Sequence, residues 1–113
     1  MKTHRIMKSD SILVILDDKK KRITLLNNLI DDINQRITII EKSINTDFYT
    51  TDYALHKILG SSGLFGLEKL YFSTAELLAT NNAFLTEDKT YHNFIESASE
   101  TKEYLKKLIQ FIY

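Results

Sequence analysis

Residues 26–44 read LNNLIDDINQRITIIEKSI, and within them Leu26, Ile30, Ile33, Ile37, Ile40 and Ile44 follow one another at gaps of 4, 3, 4, 3 and 4. That recurrence is the 3.6-residue period of an α-helix with one apolar stripe. Asp31, Asp32, Asn34, Gln35, Arg36 and Lys42 supply the polar face. A half-buried strand would alternate at every second residue, so this segment reads as helix. Working outward, steps of three and four recur in Tyr91, Phe94, Ile95, Ala98, Leu105, Leu108, Ile109 and Ile112. A shorter stripe, Leu67, Leu70, Tyr71, Thr74, Leu77 and Leu78, lies between the two and is expected to stop at Asn81-Asn82, since Asn tolerates the left-handed conformation that ends helices.

The rest of the chain agrees. Pro is absent and Gly occurs three times, so the residues that punctuate sheets and tight turns are scarce. A further helix should begin where Thr50, Thr51 or Asp52 caps the first turn and run through Ile58. Ser9 or Asp10 is expected to cap a short N-terminal helix over residues 9–18, although its β-branched content also suits a strand. Connections near 45–49, 64–67 and 81–87 are short, which makes successive helices antiparallel neighbours. The expected fold is all-α: an antiparallel up-down four-helix bundle with helices near 20–45, 50–64, 67–81 and 87–112, plus the short N-terminal helix. The run Asp17, Asp18, Lys19, Lys20, Lys21, Arg22 is read as a solvated helix start in preference to a docking patch.

A chain of 113 residues holds one domain, expected over 1–113 with its core from about 10 to 112. Lys plus Arg and Asp plus Glu both equal 15, so there is no basic surplus for a nucleic acid. Without Cys there is no disulfide and no thiolate metal site. The longest apolar run, Ile12 to Leu16, is far short of the ~20 residues that span a bilayer. These features lead us to expect a cytoplasmic monomer with no direct membrane insertion.

All three glycines, Gly60, Gly63 and Gly66, fall within seven residues, inside or just after a helix. A helical glycine costs about 1 kcal/mol relative to alanine, so a bare backbone must serve a purpose there. At about 100° per residue from His56, Gly60 lies near +40°, Gly63 near −20° and Asp52 near −40°. Ala54, Ile58, Ser61 and Phe65 fall near 140° to 200°, which places the core on the opposite side. His56 is then offered outward beside two cleared turns, where a large partner can approach it. Tight helix packing is the competing explanation of the glycines; it suits Gly66 better than Gly60 or Gly63.

The segment His56-Lys57-Ile58-Leu59-Gly60-Ser61-Ser62-Gly63-Leu64-Phe65-Gly66-Leu67 resembles the signature helix of histidine phosphotransfer (HPt) domains. His56, Gly60, Ser61, Ser62 and Gly66 match it in register, and the helix order fits the family's four-helix bundle over roughly residues 10–112. The resemblance implies a phosphorelay intermediate of two-component signalling: His56 accepts a phosphoryl group from the aspartate of one response-regulator receiver domain and passes it to another. It implies no cofactor on this chain, with magnesium on the partner receiver domain, and possible service to a hybrid sensor kinase. One position departs from the family: the basic residue usually found three places after the histidine is Leu59.

Imidazole is the side chain whose ordinary titration lies nearest neutrality, so a histidine nitrogen offers a lone pair to phosphorus. There is no glycine-rich nucleotide loop or Walker motif, so phosphate must come from another protein. Lys57 and Ser61 are expected to support the site beside Gly60 and Gly63, and Asp52, one turn back, to orient the ring. Leu59, Leu55 and Leu64 are expected to rim an apolar docking surface, with Lys69 nearby. The alternative is a bundle of the same shape that docks a receiver domain or kinase without being phosphorylated. A zinc site from His56, His92 and Asp52 lacks a close His-x-x-x-His spacing. His4 is expected in a loose terminus and His92 on the surface, with Tyr104, Phe111 and Tyr113 in core or terminal packing.

Overall fold

Ser11, Asp18 and Asp47 each turn a side-chain oxygen onto a backbone N–H two or three residues ahead, at 3.3, 3.1 and 3.1 Å, and each starts a helix. The computed structural model describes residues 4–80 and 89–112. Its elements are α1 (Ile12–Ile15), α2 (Lys19–Ser43), α3 (Phe48–Leu64), α4 (Glu68–Leu78) and α5 (Lys89–Ile112), with no strand among the described residues. Contacts run around a ring, α2 to α3 to α4 to α5 and back to α2, and none cross its diagonals; α1 leans on α2. These are the packed helices of an all-α bundle.

Every residue of the 26–44 stripe, from Leu26 to Ile44, is buried. It shares one core with Leu55 and Ile58 of α3, Leu70 and Leu77 of α4, and Phe94 and Leu105 of α5, all essentially inaccessible. Each such side chain contributes about 1.5–3 kcal/mol of burial. Between α2 and α3 the core holds a polar link, Ser43 to Thr51. Thr51 Oγ1 donates to Asp47 O at 3.1 Å, so at the 2.6 Å contact between Ser43 and Thr51 it is Ser43 that donates.

Several boundaries differ from the sequence reading. α3 begins at Phe48, not in the range 50–52, because Asp47 is the cap: besides the Thr50 N–H, it accepts the Thr50 hydroxyl at 2.6 Å. These bonds hold the Asp47 carboxyl below the usual carboxylate range. The N-terminal helix shrinks to Ile12–Ile15, capped by Ser11 rather than Ser9 or Asp10. Arg22 is not a solvated residue of a charge run. Its Nη1 turns back to the carbonyls of Val14 and Leu16 at 2.9 and 3.3 Å, tying α1 to α2. α4 ends at Leu78, earlier than expected, and the Asn81-Asn82 stop, residues 87 and 88 and Tyr113 lie outside the described residues. Phe111 is 86% exposed and takes no part in terminal packing.

The turn between α3 and α4 explains one glycine outright. Gly66 has φ +68°, and across it the Leu67 N–H reaches Ser62 O at 2.8 Å, closing the carbonyl end of α3. The N-terminal segment then lies over this turn, and His4 is not loose. Its ring stacks on Phe72 at 4.0 Å, and Met7 is buried. Lys8 N–H donates to Gly66 O at 2.8 Å, and Ser11 Oγ donates to Phe65 O at 2.6 Å. Leu67, the first residue before α4, has no side-chain cap to give. Arg5 substitutes for it: its carbonyl accepts the Lys69 N–H at 3.0 Å while its guanidinium pairs with Glu68 at 3.2 Å.

Candidate functional site

His56 sits in the middle of α3 with 59% of its side chain exposed. The helical phase that puts it there is set by the residues opposite. Thr51, Ala54, Leu55, Ile58 and Ser62 are the buried positions of α3, and at about 100° per residue their centre lies some 215° from His56. The core side is therefore rotated by several tens of degrees from the sequence reading. Leu55 falls inside it and is fully buried, so it cannot rim a docking surface. Ser62 replaces Ser61 as the small buried residue, its hydroxyl donating to Leu59 O at 3.1 Å. Ser61 and Phe65 are half-buried.

The same rotation centres the outward face on Gly60. An added Cβ at Gly60 would meet nothing within 4 Å. Gly63 is different. The Tyr71 ring of α4 lies 3.3 Å from where its Cβ would be, so helix packing accounts for this glycine, against the sequence reading. Leu64 is 76% exposed and remains available at the end of the stripe. Tyr49 and Tyr53 extend the stripe towards the helix start; Tyr49 is 83% exposed and Tyr53 is exposed as well. Sequence reasoning passed over both tyrosines. Their phase, about +20° and +60° from His56, was the signal that marks them.

The charges around His56 are fewer than the sequence suggests. Asp52 Oδ2 stands 3.6 Å from His56 Nε2, an ion-pair distance for a protonated ring but too long to lock a neutral one by hydrogen bonding. Lys57 does not curl towards His56: its ammonium lies over the Tyr53 ring, 5.1 Å from the centroid. Lys69 is engaged with Glu100 of α5 and is no free docking charge. Leu59 is half-buried, and Leu78 of α4 packs against the core from outside it. The arrangement is an accessible imidazole on a helix face with one carboxylate beside it and, among the described residues, no cation paired with it.

Such a face suits a nucleophile that must be reached by another macromolecule, because more than half of the ring is open to solvent. Among the described residues no three His, Asp or Glu side chains gather as a metal site, and His92 lies exposed with its ring edge-on to Tyr91. Among the same residues no helix is long and apolar enough to cross a membrane. Comparison of this chain with family models, with curated proteins and with solved structures returned no match.

Proposed function

We propose that this protein is a phosphorelay intermediate of the histidine phosphotransfer type, with His56 as its phosphoacceptor. The observation that carries the reading is the pairing of an exposed mid-helix histidine with a glycine, Gly60, that no packing contact requires. A fold that spends a helical glycine on open space, at about 1 kcal/mol, gains access for something large. In the proposed step an unprotonated nitrogen of His56 attacks the phosphorus of an aspartyl phosphate on a receiver domain. The N–P bond forms as the P–O bond to the aspartate breaks, the carboxylate leaves with the electron pair, and the proton on the other ring nitrogen passes to water. The reverse sequence delivers the phosphoryl group to a second receiver. Magnesium belongs to the receiver in this scheme, and the chain works as a cytoplasmic monomer.

The test uses two donors. Phosphoramidate, a small donor, should label His56 directly, and a phosphorylated receiver domain should label it by transfer; the product should be acid-labile and base-stable. Absence of label from both donors would sink the proposal. One observation favours the second reading, a docking module that is never phosphorylated: among the described residues no cation faces His56, since Leu59 stands where the family has a base and Lys57 is turned onto Tyr53. Stable binding of a receiver domain together with no label would establish that reading in place of the first.

A further inference from the structure

The segment that crosses the α3–α4 turn is held at one place, and lightly. Residues 4–10 contain no helix or strand, and of their side chains only Met7 is buried. Among the described residues, the hydrogen bonds, ion pair and ring contact that they make to the later helices all fall between Gly66 and Phe72. Lys8 N–H donates to Gly66 O, Arg5 O accepts from Lys69 N–H, the Arg5 guanidinium pairs with Glu68, and His4 stacks on Phe72. Arg5 keeps 56% of its side chain in solvent, and Ile6 is half-buried at a groove it shares with Tyr104 of α5. Ordering seven residues costs backbone freedom at each, and one buried side chain, two backbone bonds and an exposed ion pair offset little of it. The base of the segment is different. Ser11 is buried and donates to Phe65 O, Leu13 just beyond it is fully buried, and Arg22 ties α1 to α2.

We infer that residues 4–10 are a strap that opens and closes as one unit over the α3–α4 turn while the bundle stays folded, with Ser11 as its hinge. The inference is independent of the His56 reading. Met7 stands between Arg5 and Lys8 in the chain, so its side chain leaves the core only by drawing both backbone bonds with it. When closed, the strap caps α4 through Arg5 O and supplies Lys8 as one wall of a cavity of about 290 Å³, whose other walls include Gly63, Tyr71 and Phe72. When it opens, Lys69 N–H turns to water, His4 uncovers one face of Phe72, and the cavity becomes an aromatic shelf beside the last turn of α3. The strap thus sets how much aromatic surface the α3–α4 turn shows. Local opening of this kind belongs to segments with few buried apolar contacts.

Native-state hydrogen exchange of the full, unsubstituted chain tests this directly. Lys69 N–H, held by Arg5 O, should exchange at least ~tenfold faster than Tyr71 N–H, held by Leu67 O at the start of the same helix. Its rate should hardly change with urea below the unfolding transition, because opening the strap exposes little surface. The chain has no cysteine, so Met7→Cys supplies a single thiol, whose reaction with a maleimide should show the same indifference to urea. Arg5→Ala, at an exposed position, should speed Lys69 exchange severalfold and leave Tyr71 exchange unchanged. Equal protection of the two amides, or an equal effect of Arg5→Ala on both, would make the segment part of the bundle's global unit and overturn the inference. So would Lys69 exchange as fast as in an unstructured peptide, which leaves no closed state.

Discussion

Gly60 and Gly66 are six residues apart in one chain and are kept bare for opposite reasons. Gly66 is required by the fold: its backbone sits at φ +68° and Lys8 packs within 3.2 Å of the place a Cβ would take. Gly60 is required by nothing in the fold, since its outer side meets open space. Between them Gly63 is filled by Tyr71. The lesson is that a glycine cluster is not one signal. The member that tertiary packing leaves unexplained, Gly60, is the one on which the proposed approach of a partner rests, and it is the member nearest to His56.

That contrast can be broken at its functional end first. His56→Gln should abolish phosphate acceptance from both donors while leaving the thermal midpoint nearly unchanged, because the ring is largely exposed. Label retained on the variant would place the phosphoacceptor elsewhere. Gly66→Ala should cost about 1–2 kcal/mol in urea unfolding, from the left-handed backbone alone, with further loss if Lys8 is pushed off the turn. Wild-type stability in that variant would show the turn to be adaptable and remove the structural half of the contrast.

Gly60→Ala should act in the opposite sense on the fold, stabilising it by about 1 kcal/mol through helix propensity. Labelling by phosphoramidate should persist, while transfer from a receiver domain slows because the new methyl stands in the approach path. Unchanged transfer would mean that the clearance serves no partner. The smallest effect belongs to Leu59→Lys, which restores a cation about one turn from His56. An exposed pair of this kind contributes about 0.2–1 kcal/mol, so the equilibrium share of phosphate on His56 should rise only severalfold. The readout is the phosphate distribution between His56 and the receiver at equilibrium; no change there would mean that the partner already supplies the charge.

Much of the bundle was legible beforehand because helix periodicity is a local property. The stripe from Leu26 to Ile44 is buried throughout, α2 differs from expectation by one residue at its start and two at its end, and α5 ends at Ile112 as expected. His56 was legible as an outward residue for the same reason. Leu55 was not: it lies about 100° from His56, at the edge of the core arc, and a small rotation of the helix decides whether such a position is buried. Asp47 was passed over in favour of Thr50, Thr51 and Asp52 because several good capping residues stand in a row, and only the backbone path selects among them.

What the sequence determined by itself is therefore periodic and short-range: the helical class, the order of the long helices, the apolar stripe of α2 and the outward phase of His56. The tertiary structure decided what depends on residues far apart in the chain. It drew the N-terminal segment over the α3–α4 turn, where Arg5 caps a helix that lacks its own cap and His4 stacks on Phe72. It set Tyr71 against Gly63, turned Lys57 onto Tyr53 and engaged Lys69 with Glu100. The physical reason is that helix propensity and amphipathic period act within a few residues along the chain. The partners of a glycine, a lysine or an uncapped helix end are chosen by which surfaces the packed helices bring together.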